Sequence, residues 1–265
     1  MSIVILVGGQ SIDGNYEHRY LVDAFLATFG DQVTRIISAE PVRRSIGLKI
    51  KRTLKRGNYR ERIARARWKG PFGPDAELLG KALFGDNPLQ SMPGGDKRVV
   101  VPSHNGPECE AILDADKPDV IVVYGTAIIR DNIFRRARLV TLNMHTGLSP
   151  YYRGDSTLFW PVYHDDPDHL GVTVHKLVPE VDGGDIVYTG MVNYSAGDTE
   201  ADIFAKGVKV GTELYCKAVQ EALNGTIEYH PQDLSLGREF RWINRTVAAE
   251  KQVLANLARW AKKSK

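Results

Sequence analysis

The stretch DVIVVY, residues 119–124, decides the fold class. It is a short, almost continuously apolar run, typical of a strand that is buried on both faces of a parallel sheet. Similar runs recur along the chain and alternate with segments of helical periodicity. The predicted strands lie at residues 3–7, 33–38, 98–101, 119–124, 139–144, 171–177 and 185–192. This alternation predicts an α/β fold, with an open, mostly parallel, twisted sheet flanked by helices.

The regular alternation ends at residues 224–225, where Asn-Gly is typical of a helix C-terminus. We therefore predict one main domain over residues 1–225 and a C-terminal extension over residues 226–265. The extension holds a predicted helix from about residue 245 to residue 260. This helix either packs back on the core or forms a homodimer contact, and its apolar spacing does not decide between the two.

Composition and cysteine usage restrict the class of protein. The chain has 265 residues, of which 43% are hydrophobic and 25% charged, so it lies in the globular range and not among disordered chains. Cys109 and Cys216 lie far apart without CxxC spacing, so we expect no disulfide framework, no metal site and a reducing, cytoplasmic compartment. No apolar run approaches the ~20 residues that cross a bilayer, so no membrane span is expected.

Residues 40–97, approximately, are predicted to form a basic, loop-rich insertion in the main domain, whose second part has no regular element. Its segment 43–69 holds twelve Lys or Arg residues against a single acidic residue, Glu61, whereas residues 70–97 are rich in Gly, Pro and Asp. Such a basic block indicates either an anionic partner or only a solvated basic helix.

A glycine turn, Gly8-Gly9-Gln10-Ser11, follows the first predicted strand and precedes a predicted helix. Backbone N–H groups at a turn of this kind, together with the helix N-terminus, bind anions such as phosphate. The three spaced glycines of the dinucleotide-binding pattern are absent, so a tight turn without a ligand stays an alternative.

Two stretches carry candidate chemistry: LNMHTGLSPYYRGDST at residues 142–157 and GVTVHKLVPEVDGGDIV at residues 171–187. Both begin in predicted buried strands, and residues that follow such strands line the crevice where ligands bind in open α/β sheets. Asn143 and His145 are two residues apart on an extended backbone, so their side chains point to the same face. We therefore expect Asn143, His145 and Asp182 to converge.

An amide, an imidazole and a carboxylate suit the transfer of an acyl group to an amine. Asn143 and a protonated His145 would donate to the oxyanion, and Asp182 would accept the proton of the attacking amine. Each residue also has a structural alternative: a strand-end cap for Asn143, a buried hydrogen-bonded imidazole for His145 and a turn residue for Asp182. Thr173 and His175, on the next strand, are predicted to have structural or supporting roles.

The series NxH, SPYYRG, GVTVH and VDGGDI resembles the folate-dependent formyltransferase family, which includes glycinamide ribonucleotide, methionyl-tRNA and nucleotide-linked amino-sugar formyltransferases. The resemblance is strongest over residues 119–190. It implies a Rossmann-like catalytic domain over residues 1–225, 10-formyltetrahydrofolate as formyl donor, and the roles given above for Asn143, His145 and Asp182. It also implies that the pterin is held largely by backbone groups of Ala127, Ile128, Ile129, Val178, Pro179, Glu180 and Val181.

The chain also departs from well-known members of this family. Its first glycine turn is longer than the phosphate-gripping loop of glycinamide ribonucleotide transformylases, and the basic insertion is foreign to them. Methionyl-tRNA formyltransferases carry a whole further domain for tRNA, whereas some forty residues follow residue 225. We therefore expect a small, phosphate-bearing amine as acceptor and no nucleic-acid partner.

A nucleotide-linked 4-amino sugar of a surface-polysaccharide pathway is the preferred acceptor, because HTGLSPYYRG is similar to members of such pathways. The residues predicted to contact it are Gly8, Gly9, Gln10, Ser11, Tyr152 and Arg153. Three alternatives stay open: an amino-acid side-chain amine such as that of hydroxyornithine, glycinamide ribonucleotide, and a non-enzymatic anion- or nucleic-acid-binding protein.

Overall fold

A seven-stranded sheet forms the centre of the protein. The computed structural model describes residues 1–9, 11–41 and 59–263. The strands are β1 (Ile3–Val7), β2 (Val33–Ala39), β3 (Arg98–Val101), β4 (Val120–Tyr124), β5 (Val140–His145), β6 (Tyr152–Gly154), β7 (Gly171–Lys176), β8 (Ile186–Met191) and β9 (Arg238–Phe240). The helices are α1 (Tyr16–Phe29), α2 (Tyr59–Arg67), α3 (Ala76–Phe84), α4 (Pro107–Asp116), α5 (Asp131–Phe134), α6 (Phe159–His164), α7 (Glu200–Asn224) and α8 (Val247–Lys263).

The strand order is β3-β2-β1-β4-β5-β7-β8, and β6 and β9 form a separate two-stranded sheet. The first five strands of this order pair in parallel, whereas β7 runs antiparallel to both β5 and β8. The predicted open, mostly parallel α/β sheet is confirmed. Every predicted strand of the main sheet is present, with bounds that differ by one residue at most at either end.

Both faces of the sheet are covered, which explains why its central strands are apolar without alternation. All five residues of β1 and of β4 are buried. Ile3, Ile5 and Val7 pack with α1 and α7 on one face, whereas Val4 and Leu6 pack with α4 on the other. The sheet is therefore the middle layer of three.

The insertion differs from its prediction. Residues 70–97 contain α3, which Asp75 caps by accepting a hydrogen bond from the Leu78 amide. Leu79 and Leu83 of α3 are buried against α7, which is why a segment rich in Gly and Pro at its ends still forms a helix. Of the basic segment 43–69, residues 42–58 lie outside the described part of the chain, and α2 covers most of the remainder.

The C-terminal extension packs back on the main domain. Val253 and Trp260 of α8 are buried in a hydrophobic cluster that also contains residues of α6. The Asn256 amide donates to the carbonyls of Val162 and Tyr163 in α6. Strand β9 pairs with β6 next to the candidate site. In the described residues, none of the helices is both long enough and apolar enough to cross a membrane.

Candidate active site

Asn143 and His145 occupy the end of β5, and Asp182 lies in the loop that joins β7 to β8. Because β7 runs antiparallel to β5, its carboxyl end points away from the end of β5. Asp182 is therefore brought to the site by the loop of residues 177–185, which turns back, and not by a parallel strand end. It holds a left-handed backbone conformation, with φ of 47°.

The imidazole of His145 lies between two oxygen acceptors. Its Nδ1 atom is 3.3 Å from Oδ2 of Asp182, and its Nε2 atom is 2.8 Å from the carbonyl oxygen of Tyr152. Only a ring that is protonated on both nitrogens can donate to both oxygens. The two acceptors fix the orientation of the ring beside the Asp182 carboxylate.

His175 is a member of the same cluster. It lies opposite Asn143 in the register of β5 and β7, and its Nε2 atom is 3.1 Å from the Asn143 amide nitrogen and 3.5 Å from Oδ1 of Asp182. Its side chain is 1% exposed. The alternation of the GVTVH motif indicated a supporting role, but the sequence could not show that the ring touches both Asn143 and Asp182.

Asp182 is ionised in this environment. Burial alone would raise the pKa of its carboxyl group, but His145, His175 and the amide of Gly154 together lower that pKa well below its usual range. The Gly154 N–H donates to Oδ2 of Asp182 at 2.8 Å. The result is a buried carboxylate that stays negatively charged at neutral pH between two imidazoles.

These side chains open into a cavity of about 340 Å³. Its lining includes Asn143, His145 and Asp182, together with every residue that was predicted to hold the pterin: Ala127, Ile128, Ile129, Val178, Pro179, Glu180 and Val181. The volume lies within the range of small-molecule sites. The structure thus brings the two predicted segments into the lining of one cavity, while their contact with a pterin stays a prediction.

A second cavity, of about 630 Å³, adjoins the first and shares Thr146 and Ser156 with it. Its aromatic lining includes Phe72 and Trp242, whose rings meet edge to face at 5.6 Å. The Trp242 side chain is 47% exposed. We call these two spaces the small cavity and the large cavity.

The cations in the wall of the large cavity already have partners. Arg19 donates to the carbonyls of Asp13, Gly14 and Leu89. Arg245, which is 1% exposed, pairs with Glu200 through both terminal nitrogens and with Glu250. Arg245 therefore fastens the C-terminal extension to α7 at the base of the cavity.

The predicted acceptor contacts stay a prediction. In the described residues, Gly8, Gly9, Ser11, Tyr152 and Arg153 line neither of these two cavities, and Gln10 lies outside the described residues. The Gly8 amide donates to the Tyr124 carbonyl at 3.2 Å, across the ends of β1 and β4. A Cβ atom on Gly8 would lie 2.0 Å from the Gly125 carbonyl oxygen, which explains the need for glycine there. Residues 14–17, after the turn, line the large cavity instead.

Tyr152 and Arg153 contact other parts of the protein and line neither cavity. The Tyr152 side chain is buried, and its hydroxyl donates to Asp166 at 2.8 Å. The Tyr152 carbonyl faces His145, and a contact of Tyr152 with the acceptor stays a prediction. The Arg153 guanidinium lies 3.4 Å from the carbonyl of Val181 and so contacts the loop that carries Asp182.

The part of the chain that holds the candidate site is similar in sequence to known proteins. Residues 93–219 match the model of the formyl transferase family, and this range contains Asn143, His145, His175 and Asp182. A methionyl-tRNA formyltransferase of Chlorobium chlorochromatii is 28% identical over 132 residues, which are 50% of this chain and 42% of that protein. The chain thus spans less than half the length of this curated relative.

Two solved structures show the same fold. A 4-N formyltransferase from Francisella tularensis has a TM-score of 0.54 at 17% identity, covering 90% of this chain and 76% of its own. An N-formyltransferase from Helicobacter canadensis, in complex with folinic acid and dTDP-3-aminofucose, has a TM-score of 0.54 at 17% identity, covering 97% of this chain and 81% of its own. Residues 93–219 thus match the formyl transferase family in sequence, and most of the chain shares the fold of these two structures.

Proposed function

We propose that this protein transfers a formyl group from 10-formyltetrahydrofolate to the primary amine of a small acceptor. One observation carries the proposal: Asn143, His145 and Asp182 converge at the wall of the small cavity, directly beside the opening to the large one. A donor in the small cavity and an acceptor in the large cavity would meet at Thr146 and Ser156.

The small cavity suits a folate. Its walls are formed by backbone segments 127–129 and 178–181, which offer N–H and C=O groups to a heterocycle that carries donors and acceptors on its edge. The folate supplies an activated formyl group. The chain itself supplies the charges around the reacting atoms.

Asn143 and His145 would stabilise the oxygen that becomes negative when the amine adds to the formyl carbon. The donors would be the Asn143 amide N–H and an N–H of His145, which would leave one of its present acceptors, Asp182 or the Tyr152 carbonyl, to reach the oxygen. Such hydrogen bonds are stronger in a buried site than in water. Asp182 would keep His145 charged and would accept the proton that the amine must lose, directly or through one water. That proton then goes to the departing folate nitrogen, so that the reaction leaves an amide and tetrahydrofolate.

The preferred acceptor is a nucleotide-linked 4-amino sugar. The size of the large cavity, about 630 Å³, favours an acceptor larger than a free amino acid. Phe72 and Trp242 at its wall offer faces on which a sugar ring or a base can pack. The ligand dTDP-3-aminofucose, bound in the Helicobacter canadensis structure, is also a nucleotide-linked amino sugar.

The test is an assay of formyl transfer with the purified protein, 10-formyltetrahydrofolate and a panel of amines. The panel contains nucleotide-linked amino sugars, hydroxyornithine and glycinamide ribonucleotide, and products are identified by the mass of the added formyl group. We expect turnover with a nucleotide-linked amino sugar. Turnover of amino-acid amines alone would refute the sugar assignment. Absence of transfer to every amine, together with salt-sensitive DNA or RNA binding that Asn143→Ala, His145→Ala and Asp182→Ala leave unchanged, would favour the non-enzymatic alternative.

A further inference from the structure

Residues of the C-terminal extension form hydrogen bonds with the loop that carries Asp182. We propose that Gln232 is a positioning residue that fixes the Asp182 carboxylate between His145 and His175. This inference rests on the proposed formyl transfer for its kinetic consequences, but its structural consequence is measurable without catalysis.

Asp182 requires such support because of its backbone. Its φ of 47° lies in the left-handed region, which residues with a Cβ atom adopt at an energetic cost. Conformations of this kind persist where the surroundings over-determine them, and they are common at functional sites. Two glycines follow, Gly183 and Gly184, so the segment has little intrinsic stiffness of its own.

Gln232 bridges the two ends of this glycine-containing turn. Its amide nitrogen donates to the carbonyl of Asp182 at 2.9 Å and to the carbonyl of Gly184 at 2.5 Å. Both hydrogens of the amide are therefore used on one short turn. The hydroxyl of Ser149 lies 3.5 Å from the same Asp182 carbonyl and is the weaker of its two side-chain partners.

The extension holds Gln232 in place by backbone pairing. His230 and Ile186 exchange two backbone hydrogen bonds of 2.8 Å each, which ties the start of the extension to β8. Beyond Gln232, the Leu234 side chain approaches Gly183, since a Cβ built on Gly183 would lie 3.2 Å from Cδ1 of Leu234. Gln232 is therefore fixed on both sides along the chain.

The same extension also pairs with the strand whose backbone amide, that of Gly154, donates to the Asp182 carboxylate. Gly154, whose amide donates to Oδ2 of Asp182, belongs to β6 and pairs with Phe240 of β9. The carbonyl of Asp182 is thus held by Gln232 and its carboxylate by a strand that the extension completes. Removal of the Gln232 donors would free the turn and let the carboxylate move away from the two imidazoles.

The experiment compares Gln232→Met, which keeps length and volume but cannot donate, with Gln232→Ala and with Gln220→Ala. Gln220 is exposed on α7 and donates to Asn224 one turn along the same helix, so Gln220→Ala is the matched control. We expect Gln232→Met to lower kcat about 10- to 100-fold, because misplacement of a reacting group by about 1 Å has effects of this size. KM for folate and amine should change less than kcat, since Gln232 itself lines neither cavity.

A second measurement separates positioning from a general loss of stability. Displacement from His145 and His175 raises the pKa of Asp182 towards its usual value, so its carboxyl carbon, followed by NMR, should titrate at higher pH in Gln232→Met than in the native protein. Asp182→Asn identifies the resonance. If Gln232→Ala fails to fold, Gln232→Met still tests the inference, and thermal unfolding reports on both.

Two results would overturn the inference: a Gln232→Met protein that keeps its kcat within about 2-fold of native, or one whose Asp182 resonance titrates as in the native protein. If the native protein transfers no formyl group, the proposed function fails, while the NMR titration still decides whether Gln232 positions the carboxylate.

Discussion

Replacing Asp182 with asparagine removes the charge at the centre of the site and keeps its shape. The side-chain oxygen of the new amide can still accept the hydrogen bond of the Gly154 N–H, which is 2.8 Å from Oδ2 in the native protein, so the turn should persist. What is lost is the proposed proton acceptor and the negative charge 3.3 Å from Nδ1 of His145. Asp182→Asn therefore tests the chemistry more than the fold.

The expected magnitude follows from these two losses. A positioned general base contributes about 10²- to 10⁴-fold in rate, and an oxyanion donor contributes about 10²- to 10³-fold. The two effects act through one cluster and are not additive, so we expect kcat to fall by about 10³-fold, equivalent to about 4 kcal/mol of transition-state stabilisation. KM for the folate should remain close to native, because the backbone of residues 178–181 is unchanged.

The assay is steady-state formyl transfer to the best acceptor of the amine panel, with Asp185→Asn as control. Asp185 belongs to the same VDGGD segment, but its carboxylate forms no ion pair with an imidazole in the described part of the protein. We expect Asp185→Asn to keep kcat within about 3-fold of native, as is usual away from the reacting groups. The reasoning is refuted if Asp182→Asn retains more than about a tenth of native kcat, or if Asp185→Asn loses as much as Asp182→Asn.

Three further predictions concern pH, the acceptor and the extension. Folding lowers the pKa of Asp182, so its carboxylate stabilises the fold at pH values above the unfolded pKa of about 3.9 and loses this contribution as the pH falls through the folded pKa. In urea titrations between about pH 5 and 2, the native protein should therefore lose more unfolding free energy than Asp182→Asn. Equal losses in the two proteins would contradict this prediction. Trp242→Ala should raise KM for a nucleotide-linked amine about 10-fold without changing KM for folate, whereas Trp68→Ala, outside both cavities, should change neither. Trp260→Ala should lower the free energy of unfolding by about 3–5 kcal/mol, since its side chain is 2% exposed; a loss below about 1 kcal/mol in denaturant melts would mean that α8 is not part of the core.

The sheet and the three candidate catalytic residues could be predicted because their signals are local. Strands β1 and β4 are continuous apolar runs, and such runs have few structural solutions in a chain of this length. Asn143 and His145 share a face through the two-residue repeat of a strand. The glycines after Asp182 marked a turn, although not its return path to β5.

The features that the sequence did not indicate depend on long-range contacts. The Gly8 amide, in the turn predicted to contact the acceptor, donates to the carbonyl of Tyr124, which lies far away in the sequence on β4. Helix α3 forms because Leu79 and Leu83 meet α7, and no local signal in a segment flanked by Gly and Pro reports that contact. The role of Gln232 likewise depends on the pairing of His230 with Ile186. Tertiary partners of this kind override local propensity.

The antiparallel register of β7 on β5 has an evolutionary consequence. Residues 173–176 of β7 pair in antiparallel register with residues 145–142 of β5, and His175 therefore lies opposite Asn143. A single inserted or deleted residue within β7 would turn every side chain of that strand to the opposite face, and Val174 or Lys176 would replace the imidazole. Length variation among descendants of this chain should therefore be absent inside residues 171–175, which a survey of insertion variants under selection for activity can measure.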